Sequence, residues 1–324
     1  MTVSEYRKAK RETVSYISKL QGANNVAIRE LYIKQTRKAE SVISRLPSRP
    51  LSDANRDKII DALDRNYLYR EIKAIIKASV TKGVKRTTDI DARYLKEAFQ
   101  EAGMTLDDKI DAIFERINTR KEKLYNAEYT PIKVENRARY NLSDSIWAGI
   151  DNFSDKILAY IEGEIAAGKD PVKIAREIQQ YLRAGPEAVL GRWGKLEVDT
   201  SAYRKRLGTA GADYRTQRVV RTELYNSIRE ADIESGNANP GATGMFNWKL
   251  SPSHIDWNCD CPERAAGSPY TKEQIQTLSD TAHPNDRCHI EPVLKDHDAF
   301  IKELKDYVNG EGNGIADWAA LYGV

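Results

Sequence analysis

Soft, metal-capable side chains are scarce in this chain. Its 324 residues hold three cysteines and four histidines. An odd cysteine count with no secretory leader argues against a disulfide framework. The N-terminus, MTVSEYRKAKRETVSYISKL, has no apolar core followed by a small-residue cleavage site, so no secretory signal is expected. No run of about 18 uncharged apolar residues occurs, so no membrane span is expected either. The phosphate-loop pattern GxxxxGK[ST], the GxSxG elbow, HExxH and the HxE with PCxxC pair are also missing. Nucleotide hydrolysis, serine hydrolysis, zinc proteolysis and nucleobase deamination therefore have no support in the sequence.

What is there is charge. Charged residues make up 31% and hydrophobic ones 40%, with a mean hydropathy of −0.63. That composition fits a helix-rich chain with a modest core. The length allows two domains, or one domain with a long extension. Net charge is only +3, but it is unevenly spread. Residues 1–50 carry eleven Lys/Arg against four acids, while Asp296 to Val324 carries six acids against two lysines. The basic head could meet DNA or an acidic protein surface, with Lys8, Lys10 and Arg11 as candidate contacts. The plainer alternative is a solvated helix face.

Apolar spacing of three and four predicts helix after helix through the first 180 residues. Val3–Leu20 and Asn25–Leu46 read as two helices, broken off by LPSRPLSD with its two prolines. Ser52 or Asp53 then caps a helix through Ile59, Ile60, Leu63, Tyr67, Ile72, Ile75 and Ile76. Further helical patterns cover about 91–101, 106–125 and 135–164. Gly163 or Gly168 ends the last of these, and Asp170-Pro171 starts another. The Gly-rich stretch after it reads as a long loop. The next helix runs through ADYRTQRVVRTELYNSIREADIESG with Gly236 as its C-cap, and MFNWKL alternates like a strand. SPYTKEQIQTLSD reads as a short helix, and Asp298–Val308 as a last one before an acidic tail. The expectation is a mainly α chain. A helical docking region, 1–150, precedes a small α+β module, 151–295, and 296–324 form an acidic helix and tail.

All seven cysteines and histidines lie between His254 and His297. Structural zinc takes four soft ligands in a tetrahedron, commonly as two close pairs brought together by a turn. Cys259, Cys261, His283 and Cys288 supply such a Cys₃His set. Residues 237–294 hold many turn formers and few large apolar side chains, so a metal would replace a missing core. Four thiolate and imidazole ligands close the coordination shell, which favours structure over catalysis. Against this, a single buried cysteine such as Cys288 behaves as a small hydrophobe, and lone His254 or His297 reads as a surface residue. Asp256, Asp260, Asp286 and His289 are substitute ligands. A nuclease-like set of His254, Asn285 and His289 is the catalytic alternative.

The order of features resembles a known family. RTEL at Arg221–Leu224 sits on a helix. FNWKL with Trp248, the run DWNCDC, Gly267 and Tyr270, then HPNDRC at His283–Cys288 and a closing EPV follow in turn. This resembles the head-morphogenesis, or minor capsid, family of tailed phages of the phage Mu F type, over residues 155–294. Two departures stand out: the first pair is C-x-C where the family has C-x-x-C, and Asp286 stands where the first cysteine of the ending is expected. The resemblance implies a non-enzymatic, low-copy head component. It would be assembled in the bacterial cytoplasm and end up in the virion, inside the head. Its partners would be the portal protein, other capsid proteins and possibly packaged DNA, with no membrane, and zinc would be its structural cofactor. Arg221, Thr222, Glu223, Trp248, Asp256 and Arg287 become structural-motif residues. Arg221 and Glu223 would pair with the loop of Asp256 or Arg287, or else sit on a solvent-exposed helix face.

Overall fold

A computed structural model describes residues 1–47, 50–126, 131–132, 140–184, 214–252, 254, 259–283, 286–312 and 314–324. It is mainly helical, with a long helical N-terminal part and a small α+β piece near the C-terminus. No helix among the described residues is long and apolar enough to cross a membrane.

The helices are α1 (Val3–Ile43), α2 (Asp53–Ala62), α3 (Arg65–Glu101), α4 (Asp107–Asn126), α5 (Leu142–Ala166), α6 (Pro171–Ala184), α7 (Tyr214–Ala238), α8 (Cys261–Ala266), α9 (Lys272–Asp280), α10 (His297–Val308) and α11 (Gly314–Tyr322). The two helices expected before residue 46 are one, because Gly22 lies on an exposed helix surface and interrupts nothing. The helix expected from Ser52 to Ile76 is two. Asp64 adopts φ +46, a left-handed conformation that a helix interior does not accept. Asp170 caps α6 as its spacing predicts: its Oδ1 accepts from Val172 N at 2.9 Å. Gly168 follows α5 with φ +78, the left-handed position that glycine takes without steric cost. The long loop expected between α6 and α7 lies outside the described residues.

Compactness divides the chain differently from chain order. One unit is Met1–Gln21, Lys77–Arg139 and Thr222–Val324; the other is Gly22–Ile76 and Tyr140–Arg221. In the second, Ile28, Tyr32, Ile72, Ile150, Phe153 and Ile157 are buried, and Tyr32 stacks on Phe153 with centroids 4.0 Å apart. In the first, α1 buries one stripe, Tyr6, Lys10, Thr13 and Ile17, at helical spacing. Tyr94 and Phe99 of α3, Ile110 and Phe114 of α4, Phe300 and Leu304 of α10 and Trp318 of α11 share one apolar cluster. The segment read as an acidic tail is therefore partly core. Ile315, Trp318 and Ala319 follow helical spacing, and Trp318 Nε1 donates to Ala238 O at 2.8 Å.

Also in the first unit is an antiparallel sheet of β1 (Ala242–Lys249), β2 (Tyr270–Thr271) and β3 (His289–Leu294), in the order β2-β1-β3. Alternation along β1 buries Phe246 and Trp248, and Trp248 faces Ile290 across the ladder. Pro292 fits in β3 because that strand is an edge and has one side free of ladder bonds. Gly236 is not a C-cap: α7 continues to Ala238. A Cβ on Gly236 would come within 2.6 Å of Phe246 Cε1 and 2.9 Å of Pro292 Cβ. Glycine is there so that helix and sheet can approach. Gly236→Ala is expected to destabilise the protein by about 1–3 kcal/mol through overpacking, read as a lowered urea midpoint. An unchanged midpoint would mean that helix and sheet separate at no cost.

Candidate metal centre

Three segments supply the centre. They are the turn at His254, the Cys259–Cys261 stretch leading into α8, and His283–Cys288 leading into β3. Cys261 is the hub. Its Sγ lies 3.2 Å from His283 Nε2 and 3.9 Å from Asp286 Oδ2. His254 Nε2 stands 3.4 Å from Cys259 Sγ. The donor atoms of His254, Cys259 and Cys261 lie within 4.8 Å of one another, and so do those of Cys261, His283 and Asp286. Cys288 belongs to neither group of three and lies with Cys261 in one buried cluster.

These donors could hold a metal ion. Zinc bonds of about 2.0–2.3 Å place neighbouring corners of a tetrahedron roughly 3.3–3.8 Å apart. The measured 3.2–3.9 Å approaches bracket that range. Three thiols and two imidazoles are a soft donor set. Of the sequence candidates, Cys259, Cys261 and His283 appear in these groups. His254, read as a surface residue, and Asp286, a substitute ligand, join them.

The centre is not a substitute for a core. Cys261 and Cys288 are each 1% exposed and pack with Ile233, Phe246, Trp248, Ile275 and Ile290. The expectation of a coreless segment fails because the alternation of β1 turns its few large residues to one face. Its surroundings push the Cys261 thiol above its ordinary pKa of 9.0. Its hydrogen bond to Cys288 contributes most, followed by burial and the negative charge of Asp286. A bound cation reverses that balance, since coordination removes the thiol proton.

Two buried arginines hold the cysteine segments in place. Arg229 on α7 donates to Cys288 O at 3.2 Å and stands 3.8 Å from Asp286 Oδ2. Asp286 in turn accepts from Cys288 N at 2.8 Å, closing the turn. Arg264 on α8 donates through Nε to Asp260 Oδ2 at 3.0 Å and through Nη2 to Thr281 O at 3.2 Å. Both guanidinium groups approach the Trp248 ring, 5.7 Å from its centroid for Arg229 and 5.2 Å for Arg264. Such contacts strengthen when desolvated. Neither arginine stood out in the sequence. The one available signal was a charge bordering the apolar stripe Val220, Leu224 and Ile228 of α7.

The remaining candidates fall in several places. Arg221 and Glu223 are buried, so the solvent-exposed alternative for that helix face does not hold. Thr222 and Arg287 are half-buried, and Asp256 and Asn285 lie outside the described residues. Lys8 and Arg11 are exposed. Lys10 is not available as a surface contact. It is 4% exposed and bonded to Asp91 and Asp232, because it occupies the inward stripe of α1. His289 joins neither group of donors; it lines a cavity with Lys10 and Asp232. Burial, then Lys10 and Lys249, bring its pKa down to about 4, so it is neutral at pH 7. Comparisons with protein-family models, curated proteins and solved structures returned no match to this chain.

Proposed function

We propose that the chain is a structural, non-enzymatic minor head protein of a tailed bacteriophage. It acts in head assembly at the portal and inside the capsid, and its small C-terminal module is locked by one zinc ion. The observation that carries the non-enzymatic reading is the burial of Cys261 and Cys288. Both pack against apolar side chains, surroundings that suit a structural ion with a closed coordination shell. Cys259, Cys261, His283 and Cys288 would hold the ion, with Asp286 and His254 as neighbouring donors. The phage assignment rests on the order of RTEL, the Trp248 strand, C-x-C and HPNDRC. Zinc, when bound, would cross-link three segments of the chain. Arg229 and Arg264 orient those segments from behind.

The competing reading is a zinc-containing DNA-binding or nuclease-like protein acting on the phage genome. Two observations weigh against it: Lys10 is buried in an ion network, and His289 lies with that network instead of with His254.

Elemental analysis tests the metal. The parent chain is expected to carry about one zinc per chain, and Cys261→Ser none. Equal zinc in both, or none in the parent, would sink the zinc reading. The assembly role is tested by mixing the purified chain with the portal ring of the phage that encodes it, at high salt. Co-sedimentation without DNA cleavage is expected. Metal-dependent cleavage lost on changing His289, or DNA binding that falls steeply with salt and needs Lys8 and Arg11, would favour the competing reading.

A further inference from the structure

Helices α1, α3 and α7 bury a polar cluster apart from the cysteines. Lys10 Nζ lies 2.9 Å from Asp91 Oδ2 and 2.7 Å from Asp232 Oδ1. Asp91 also accepts from Tyr6 Oη at 2.6 Å and from Ser235 Oγ at 2.9 Å. All five side chains are buried: Tyr6, Lys10, Asp91, Asp232 and Ser235. Two carboxylates thus share one ammonium, which leaves one negative charge uncompensated away from water.

The two carboxylates are not equivalent. Asp91 receives three hydrogen bonds, which satisfy it as an anion. Asp232 receives only Lys10 among the described residues. Beside Asp232 is a cavity of about 20 Å³, lined by Lys10, Thr13, Thr87, Asp232 and His289 together with apolar side chains. That is room for one water molecule, provided polar partners are present. Thr87, 1% exposed, offers one: its Oγ1 is buried without a hydrogen bond. The charged and titratable groups facing Asp232 or its cavity are Lys10 and Tyr6 from α1, Asp91 from α3, Tyr225 from α7, Cys288 just before β3, and His289 and Glu291 from β3. Tyr6 and His289 are neutral at pH 7, and Glu291 adds to the negative field.

We propose that this pocket is a hydrated proton-binding site: Asp232 takes up one proton beside a water anchored by Thr87. Burial first, opposed by Lys10, raises the Asp232 carboxyl from 3.8 to about 7. A folded-state pKa above the unfolded one gives stability that is full below pH 3.8 and is lost as pH rises through about 7. The packing of α1 and α3 on α7 is therefore tighter on the acid side of neutrality.

The test is carboxyl-carbon NMR on the full chain, labelled at aspartate Cγ and titrated from acid to mildly alkaline pH. One resonance is expected to titrate about three pH units above the ordinary aspartate range and to vanish in Asp232→Asn. Thr87→Val keeps the shape and removes the hydroxyl, and is expected to move that midpoint upward as the carboxylate loses its water. If every aspartate titrates in the ordinary range, or if Asp91→Asn and not Asp232→Asn removes the shifted resonance, the proton site is overturned. An unmoved midpoint in Thr87→Val overturns the water. Should Asp232→Asn fail to fold, the parent titration and Thr87→Val still decide.

Discussion

Trp248→Ala is expected to lower unfolding stability by about 3–5 kcal/mol, the range for emptying a large aromatic site in a core. Trp248 is 1% exposed on β1 and packs in the same cluster as Cys261 and Cys288. Its loss does more than open a cavity. Arg229 and Arg264 would lose the ring that both guanidinium groups approach, and each is almost fully buried. Desolvated cation–π contacts are worth about 2 kcal/mol or more each. Trp248→Phe keeps a ring face and should cost less than half as much. Urea denaturation with and without a strong chelator separates core from metal. If the module rested on the metal alone, Trp248→Ala would cost under about 1 kcal/mol in the metal-loaded chain. The loss is expected in both conditions, because Phe246, Trp248, Ile275 and Ile290 form a core without help.

Much of this architecture could be read along the chain, and the failures share a cause. The helices followed from apolar residues three and four apart, and α6 from a capping Asp170 before Pro171. β1 was legible because Phe246 and Trp248 alternate with polar neighbours. β3 was not, because Pro292 interrupts HIEPVL and only its place at the sheet edge makes the proline acceptable. α11 hid behind the net charge of its segment, although Ile315, Trp318 and Ala319 carry the helical period. The clustering of cysteine and histidine marked the candidate centre. It did not show that the thiols sit in an apolar core, since that depends on which face of β1 the rest of the unit covers. Partners distant in sequence were hidden altogether. Lys10 meets residues 81 and 222 positions away. Along the chain it counted only as one more positive charge in a basic head, although its place on the stripe between Tyr6 and Ile17 pointed inward.

Lys10→Met is the second large effect, and its sign changes the reading of the basic N-terminus. A surface lysine replaced by methionine would cost a few tenths of a kcal/mol. Here the substitution keeps the aliphatic stem and removes the ammonium bonded to two buried carboxylates. Breaking a buried pair on one side costs about 3–5 kcal/mol, because the remaining charge is left uncompensated. Burial opposes the Lys10 charge, and Asp232 and Asp91 outweigh it, so its pKa stands above the ordinary 10.5. The lysine is therefore charged throughout the range from pH 5 to pH 8, and its own titration adds no pH dependence there. Asp232 adds one. Its raised pKa, about 7 in the parent, means that the carboxyl is protonated at pH 5 and carries its charge at pH 8. Lys10→Met should thus be tolerated better at pH 5, where one of the two negative charges is already neutralised. Urea midpoints of parent and variant at the two pH values provide the measurement. A loss below about 1 kcal/mol would put Lys10 back at the surface. A loss equal at both pH values would mean that Asp232 does not change charge between them.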